Sequence, residues 1–126
     1  MGTAAKRLLA IDDEPAIREI IRSTAAGLDY DTCVTERANA FKEAYAAFDP
    51  TVIVLDIVMP ETDGIELMRW LVDRGTKAKI IVASGYNELY AKMAAKLGSD
   101  SGLSVAFLDK PFRVEALRDM LRATEA

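Results

Sequence analysis

The sequence contains no histidine and a single cysteine, Cys33. Without an imidazole there is no Ser-His-Asp chemistry, and most zinc sites are excluded. One cysteine cannot close an internal disulfide, which fits a reducing compartment. Cys33 falls in the run "YDTCVT" and reads as a small core residue, since nothing nearby in the chain can activate its thiol. No apolar run approaches the roughly 18 residues that a membrane helix needs. The N-terminus, "MGTAAKRLLAID", lacks the uncharged hydrophobic stretch and cleavage site of a signal peptide, and Lys6 stands where a myristoylation signal wants Ser or Thr. The expectation is a soluble, cytoplasmic protein with no membrane partner. The net charge is −4 with a pI near 4.9, which argues against direct nucleic-acid binding.

What is present is an alternation. The chain has 126 residues, 51% hydrophobic and 29% charged, a size and composition suited to one domain spanning 1–126. Short apolar runs alternate with segments of helical period. "RLLAI" precedes a helix carrying Ile17, Ile20, Ile21 and Leu28, and "YDTCVT" precedes an alanine-rich helix over Ala38–Phe48. "TVIVLD" precedes a helix opened by Asp63, with Glu66 three residues on, a capping box in its aspartate form. Its inward face is expected at Ile65, Met68, Leu71 and Val72. "AKIIVAS" precedes a helix with Leu89, Met93 and Leu97 at every fourth position, and "SVAFL" one with Val114, Leu117 and Leu121 inward. Between these last two units, "GSDSG" (98–102) reads as a flexible loop. Five strands alternating with five helices, joined by right-handed crossovers, predict a doubly wound α/β fold with a parallel sheet covered on both faces. "RLLAI", "TVIVL" and "KIIVA" are continuously apolar, as doubly covered strands must be.

In an open sheet of this kind, ligands bind beyond the carboxyl ends of the strands, where strand order reverses. After strand one come Asp12, Asp13 and Glu14; after strand three comes Asp56. Strand four ends at Ser84–Gly85 and strand five at Asp109–Lys110–Pro111. In the common order 2-1-3-4-5, strands one and three are neighbours, so Asp12, Asp13 and Asp56 converge. At ~4 Å and an effective dielectric near 20, each pair of carboxylates repels by about 4 kcal/mol. A hard divalent ion, usually Mg²⁺ with Mn²⁺ as an alternative, would relieve this, held by one or two carboxylates, waters and a phosphate. Lys110 supplies a fixed positive charge and Ser84 a hydroxyl. Together they outline a pocket for a tetrahedral anion bonded to Asp56, aspartate being a known phosphoryl acceptor.

Each piece also has a plainer reading. "DDE" before a helix serves as an N-cap with first-turn acids. Ser84–Gly85 alone is a turn, and Lys110–Pro111 alone is a strand exit. Asp56 is harder to explain structurally, because a strand-end acid ahead of "IVMP" caps nothing evident. The four features coinciding at the four strand ends favour a site.

With these residues in hand, the chain resembles the receiver domain of two-component response regulators, the CheY-like superfamily, over almost its whole length. The matching pieces are "IDDEPAIREII", "VIVLDIVMPETDGIEL", "IIVASGY" and "FLDKPF", in order and at roughly the right spacing. The resemblance implies a flavodoxin-like (βα)5 fold of order 2-1-3-4-5, in which Asp56 accepts a phosphoryl group from a sensor histidine kinase or a histidine phosphotransfer protein. It also implies that Asp12 and Asp13 hold Mg²⁺ with the backbone carbonyl of Val58 completing the set, that Ser84 and Lys110 bind the phosphoryl oxygens, and that the Lys110–Pro111 bond is cis. Such a protein catalyses only its own phosphorylation and dephosphorylation.

Switching in that family couples Ser84 to an aromatic residue three positions before the lysine, here Phe107, where tyrosine is frequent; a plain core role for Phe107 stays open. Val58 and Tyr86 lie two positions beyond Asp56 and Ser84, where an apolar and an aromatic side chain would slow attack by water and lengthen the phosphoryl lifetime. From Ser84 to Lys110 is 26 positions, more than usual, with the excess around "KLGSDSGLSV", so helix four and the loop after it are expected to be displaced or mobile. The output surface of helix four, strand five and helix five would carry Tyr90, Lys92, Lys96, Arg113, Arg118 and Arg122, a basic rim suited to an acidic effector or to a second copy in a homodimer, or else merely a solvated face. The chain stops at "LRATEA", leaving open a stand-alone regulator or a receiver cut from a longer protein with an output domain. Three rivals compete. A phosphatase with an aspartate nucleophile wants D-x-D, but Ile57 and Val58 follow Asp56. A flavin module wants a phosphate loop where "DDEP" would repel one. A pseudo-receiver would bind a partner without phosphorylation.

Overall fold

The apolar runs form the strands. β1 (Arg7–Ile11), β2 (Asp31–Thr35), β3 (Val52–Asp56), β4 (Lys79–Ser84) and β5 (Val105–Asp109) alternate with α1 (Pro15–Ala26), α2 (Ala38–Phe48), α3 (Gly64–Arg74), α4 (Glu88–Asp100) and α5 (Val114–Ala123). This computed structural model describes residues 6–59, 62–85, 88–111 and 113–123, with the backbone alone at 58 and 62. The sheet is parallel throughout, in the order β2-β1-β3-β4-β5, as expected for a flavodoxin-like (βα)5 fold. A two-residue antiparallel ladder, Val58–Met59 with Thr62–Asp63, connects β3 to α3. Among the described residues, no helix is long and apolar enough to cross a membrane.

Strand alternation divides the core in two. Leu9, Ile11, Ile53, Leu55, Ile80 and Val82 face one side, against Phe41 of α2, Leu67, Met68 and Leu71 of α3, and Ala91 and Ala94 of α4. Leu8, Ala10, Val52, Val54, Ile81 and Ala83 face the other, against Ile21 and Ala25 of α1 and Leu117 and Leu121 of α5. Each large side chain buried this way contributes about 1.5–3 kcal/mol. Every residue of β3 is buried, so the central strand is rigid up to its last residue, Asp56. Cys33 lies half-buried on β2, packed at the edge of the first core.

The helix boundaries follow local chemistry. Pro15 opens α1, where its fixed φ suits the first turn. The helix ends at Ala26, which leaves Leu28 outside it, packed against the second core. Asp63 caps α3 as expected, accepting from the N–H groups of Ile65 and Glu66 at 2.9 and 3.4 Å. The buried stripe of α3 is Gly64, Leu67, Met68 and Leu71, with Ile65 and Val72 only half-buried, so it is rotated slightly from the expected face. Gly64 has a steric reason: a Cβ there would lie 2.5 Å from the carbonyl oxygen of Ile57. In α5 Leu117 and Leu121 are buried, but Val114 is 37% exposed.

Helix α4 departs most from expectation. Leu89 and Met93 are 70% and 54% exposed, and the buried stripe is Ala91, Ala94 and Gly98. Small residues bring this helix close: a Cβ on Gly98 would meet Met68 Sδ and Val105 Cγ2 at 2.9 Å. The segment 98–102 is therefore not a loop. The helix runs to Asp100 and closes with Leu103 N–H on Gly98 O and Gly102 N–H on Ser99 O, at 3.0 Å each, with Gly102 at φ +89°. That is a Schellman cap, in which glycine takes the left-handed position without strain. Residues 98–100 thus belong to the helix, and Ser101 and Gly102 form the turn that ends it.

One side-chain bond ties the start of α4 to α3. The Tyr90 hydroxyl donates to the Asp63 carboxylate, the N-cap of α3. The bond holds the Asp63 carboxyl below its ordinary value of 3.8, while burial and the nearby carboxylate raise the Tyr90 phenol. A carboxyl whose pKa is depressed by folding adds stability above its unfolded value and loses it as pH falls through the folded one. Because the bond is exposed to solvent, Tyr90→Phe should cost less than about 1 kcal/mol at neutral pH, and the gap between variant and parent should close as pH drops below 3.8. Urea titrations at several pH values measure both; a pH-independent gap would contradict the assignment.

Candidate functional site

Register brings the strand-end acids together. Ile11 pairs with Leu55, so the next residues, Asp12 and Asp56, stand side by side at the carboxyl ends of β1 and β3. Both are buried, at 1% and 2% exposure. Asp12 is tightly held: its N–H donates to Thr35 O at 3.1 Å, and its Oδ1 accepts the Glu14 N–H at 2.9 Å. Glu14 itself makes no side-chain cap to α1, so the acidic triplet is not simply a helix cap. Asp13 is half-buried. Carboxylate oxygens of Asp12, Asp13 and Asp56 all lie within 4.8 Å of one another.

Lys110, just past β5, reaches into this group. Its Nζ lies 2.7 Å from Asp12 Oδ2, 3.3 Å from Asp56 Oδ2 and 3.7 Å from Glu14 Oε2, with the lysine side chain only 11% exposed. Burial by itself would lower the ammonium's pKa; the hydrogen bond to Asp12 and the charges of Asp56, Asp12 and Glu14 outweigh it and leave the pKa raised. The lysine stays charged across the neutral range. One ammonium faces four carboxylates here, so a hard cation held by oxygen ligands fits the donor set.

Ser84 ends β4 and is 5% exposed. Its carbonyl accepts the Lys110 N–H at 2.8 Å, which locks the ends of β4 and β5 together. The Lys110–Pro111 peptide is cis. Ser84 lines a cleft of about 320 Å³ with Gly85, Glu88, Asp109 and Lys110, and Gly85 and Lys110 also line a second cleft of about 300 Å³ with Glu14, Ile17 and Pro111. Gly85 makes room for the lysine, since a Cβ there would lie 2.9 Å from Lys110 Cβ. Phe107 on β5 pairs with Val82 on β4. Two residues further on β4 lies Ser84, so Ser84 and Phe107 share the face covered by α4. The Phe107 ring is half-buried against that core.

Sequence reasoning missed several of these contacts. Arg18, one turn inside α1, donates to Asp12 O at 3.0 Å and lies 3.8 Å from Glu36 Oε2. Glu14 approaches Lys110, and Tyr90 points at Asp63 rather than outward. Nearness in the chain was the signal for Glu14 and Arg18, two and six positions after Asp12. Two cations of the expected basic rim are engaged along α4, Lys92 with Glu88 at 3.3 Å and Lys96 with Asp100 at 3.0 Å. Tyr86 lies outside the described residues, as does the side chain of Val58.

Comparison with known proteins agrees with this geometry. Residues 8–122 match the family model of the response regulator receiver domain. The response regulator MprA of Mycolicibacterium vanbaalenii is 31% identical over 117 residues, covering 93% of this chain and 49% of that protein. The C4-dicarboxylate transport transcriptional regulatory protein DctD of Pseudomonas aeruginosa is 31% identical over 119 residues, covering 94% of this chain and 25% of that protein. The chain thus spans half or less of these relatives. Among solved structures, the chemotaxis protein CheY4 of Vibrio cholerae superposes with a TM-score of 0.81 at 22% identity, covering 96% of this chain and 99% of that one. The receiver domain of the Francisella response regulator 1452 gives a TM-score of 0.78 at 25% identity, over 95% and 96% of the two chains. Family match, strand order and the cluster at the strand ends converge on one assignment: the chain belongs to the response regulator receiver domain family.

Proposed function

We propose that Asp56 accepts a phosphoryl group from the phosphohistidine of a sensor kinase or a phosphotransfer protein. The observation that carries this reading is the ammonium of Lys110, 2.7 and 3.3 Å from the carboxylates of Asp12 and Asp56 at the carboxyl edge of a buried sheet. A carboxylate oxygen of Asp56 attacks phosphorus, the P–N bond breaks, and the departing imidazole nitrogen keeps the electron pair. β3 fixes the nucleophile, so little reorganisation is needed at the moment of attack. Lys110 offsets negative charge on the transferred oxygens, and the Ser84 hydroxyl lies within the same cleft to donate to them. Asp12, Asp13 and the Val58 carbonyl, together with Asp56, would hold Mg²⁺, or Mn²⁺ in its place. When bound, that ion neutralises charge built up on the phosphoryl group. In this reading the chain catalyses only its own phosphorylation and dephosphorylation.

The readout in this proposal is the face of α4, β5 and α5. Drawing the Ser84 hydroxyl toward a phosphoryl group frees space on the face it shares with Phe107, and the ring then turns inward. The exposed Leu89, Met93 and Val114 and the arginines of α5 would meet an effector, an output domain or a second copy. Val58 and Tyr86, two positions beyond Asp56 and Ser84 in sequence, are the residues proposed to slow hydrolysis of the phosphoryl group.

Incubation with Mg²⁺ and acetyl phosphate should add the mass of one phosphoryl group to the parent and none to Asp56→Asn. Equal gain by both, or none by the parent, contradicts the proposal. Ser84→Ala should still take up the phosphoryl group, while the amide shifts that beryllofluoride produces at Phe107 and along α4 shrink several-fold. Undiminished shifts would contradict the coupling.

A further inference from the structure

We infer that Arg18 is a positioning residue for the divalent-cation site, acting through the backbone of Asp12. The inference rests on the proposed reading, in which Asp12 and Asp13 hold the ion.

Four contacts hold Asp12, and they come from different elements. Its N–H is tied to Thr35 at the end of β2, its Oδ1 to the Glu14 N–H, and its Oδ2 to Lys110. Among the described residues its carbonyl oxygen is tied by Arg18, whose Nη1 donates at 3.0 Å. Arg18 is itself anchored. Its N–H closes the first turn of α1 on Glu14 O at 3.0 Å, its side chain is 19% exposed, and its guanidinium lies 3.8 Å from Glu36 beyond β2. Asp12 is therefore held at its N–H by the end of β2 and at its carbonyl by α1, and Asp13 follows directly on the peptide that Arg18 fixes.

The clamp addresses one cost of a multi-carboxylate site. Without it the turn can swing Asp12 and Asp13 apart to relax their repulsion, and that freedom must be surrendered when an ion binds. The positive charge of Arg18 opposes a cation through space, but it takes no carboxylate oxygen because it bonds the carbonyl, so the ordering of the turn sets the sign of its effect. Lys110 does compete, since it sits on Asp12 Oδ2. Contacts of this supporting kind commonly change metal affinity by 10–100-fold when removed.

The test separates binding from chemistry. Mn²⁺ binding to the full chain, read by electron paramagnetic resonance, gives the dissociation constant directly, with Mg²⁺ measured by competition. Arg18→Ala should weaken binding about 10-fold, while the phosphorylation rate at saturating Mg²⁺ stays within about twofold of the parent. Arg18→Lys, which can still donate one bond to the carbonyl, should recover most of the affinity and serves as the second variant should the alanine protein fold poorly. Glu36→Gln should have a smaller effect, because that partner is 60% exposed. Unchanged Mn²⁺ affinity in both Arg18 variants overturns the inference and leaves the proposed function standing. A parent that binds no Mn²⁺ overturns both. Loss of rate at saturating Mg²⁺ with unchanged affinity assigns Arg18 to chemistry and overturns the positioning role.

Discussion

The structure depends on one unfavourable arrangement made tolerable: acidic side chains gathered at the carboxyl ends of two neighbouring parallel strands. Two of them, Asp12 and Asp56, are almost fully buried, where unrelieved like charges would repel by several kcal/mol per pair. Lys110 is brought against both by the turn after β5. The relief is partial, because a single ammonium cannot balance four carboxylates. What remains is a set of oxygen donors with excess negative charge, which fits a hard cation.

The surrounding fold keeps this arrangement from collapsing. β3 is buried along its full length, so Asp56 cannot retreat into solvent. The β1 turn is fixed on both sides by Thr35 and Arg18. The backbone bond between Lys110 and Ser84 joins the two strands beyond Asp56. Two glycines record how closely the chain approaches itself here, Gly64 against Ile57 and Gly85 against Lys110. The Tyr90–Asp63 bond then connects this rigid edge to α4, the helix whose exposed Leu89 and Met93 offer contact surface.

Most of the fold was legible because parallel strands buried on both faces must be continuously apolar, and the runs ending in Ile11, Leu55 and Ala83 are. The site was legible for a related reason: polar residues directly after such runs must lie at one edge of the sheet, which groups Asp12, Asp56, Ser84 and Lys110 from sequence alone. Helix α4 was misread because its leucine and methionine outweigh alanine and glycine on any hydrophobicity scale. What buries a helix against a crowded neighbour is closeness, and Gly98 provides it. The glycines of 98–102 suggested a loop for the same reason, although one packs inside the helix and the other caps it. Arg18 and Tyr90 act through single hydrogen bonds across elements, and no periodicity in sequence reveals those.

The account stands or falls on which carboxylate takes the phosphoryl group. Borohydride reduces an aspartyl phosphate to homoserine, and peptide mass spectrometry then reports the position. After phosphorylation in Mg²⁺, the account predicts homoserine at position 56 and unchanged aspartates at positions 12 and 13. Homoserine at either of those two, or at none of the three in protein that has gained phosphoryl mass, would contradict it.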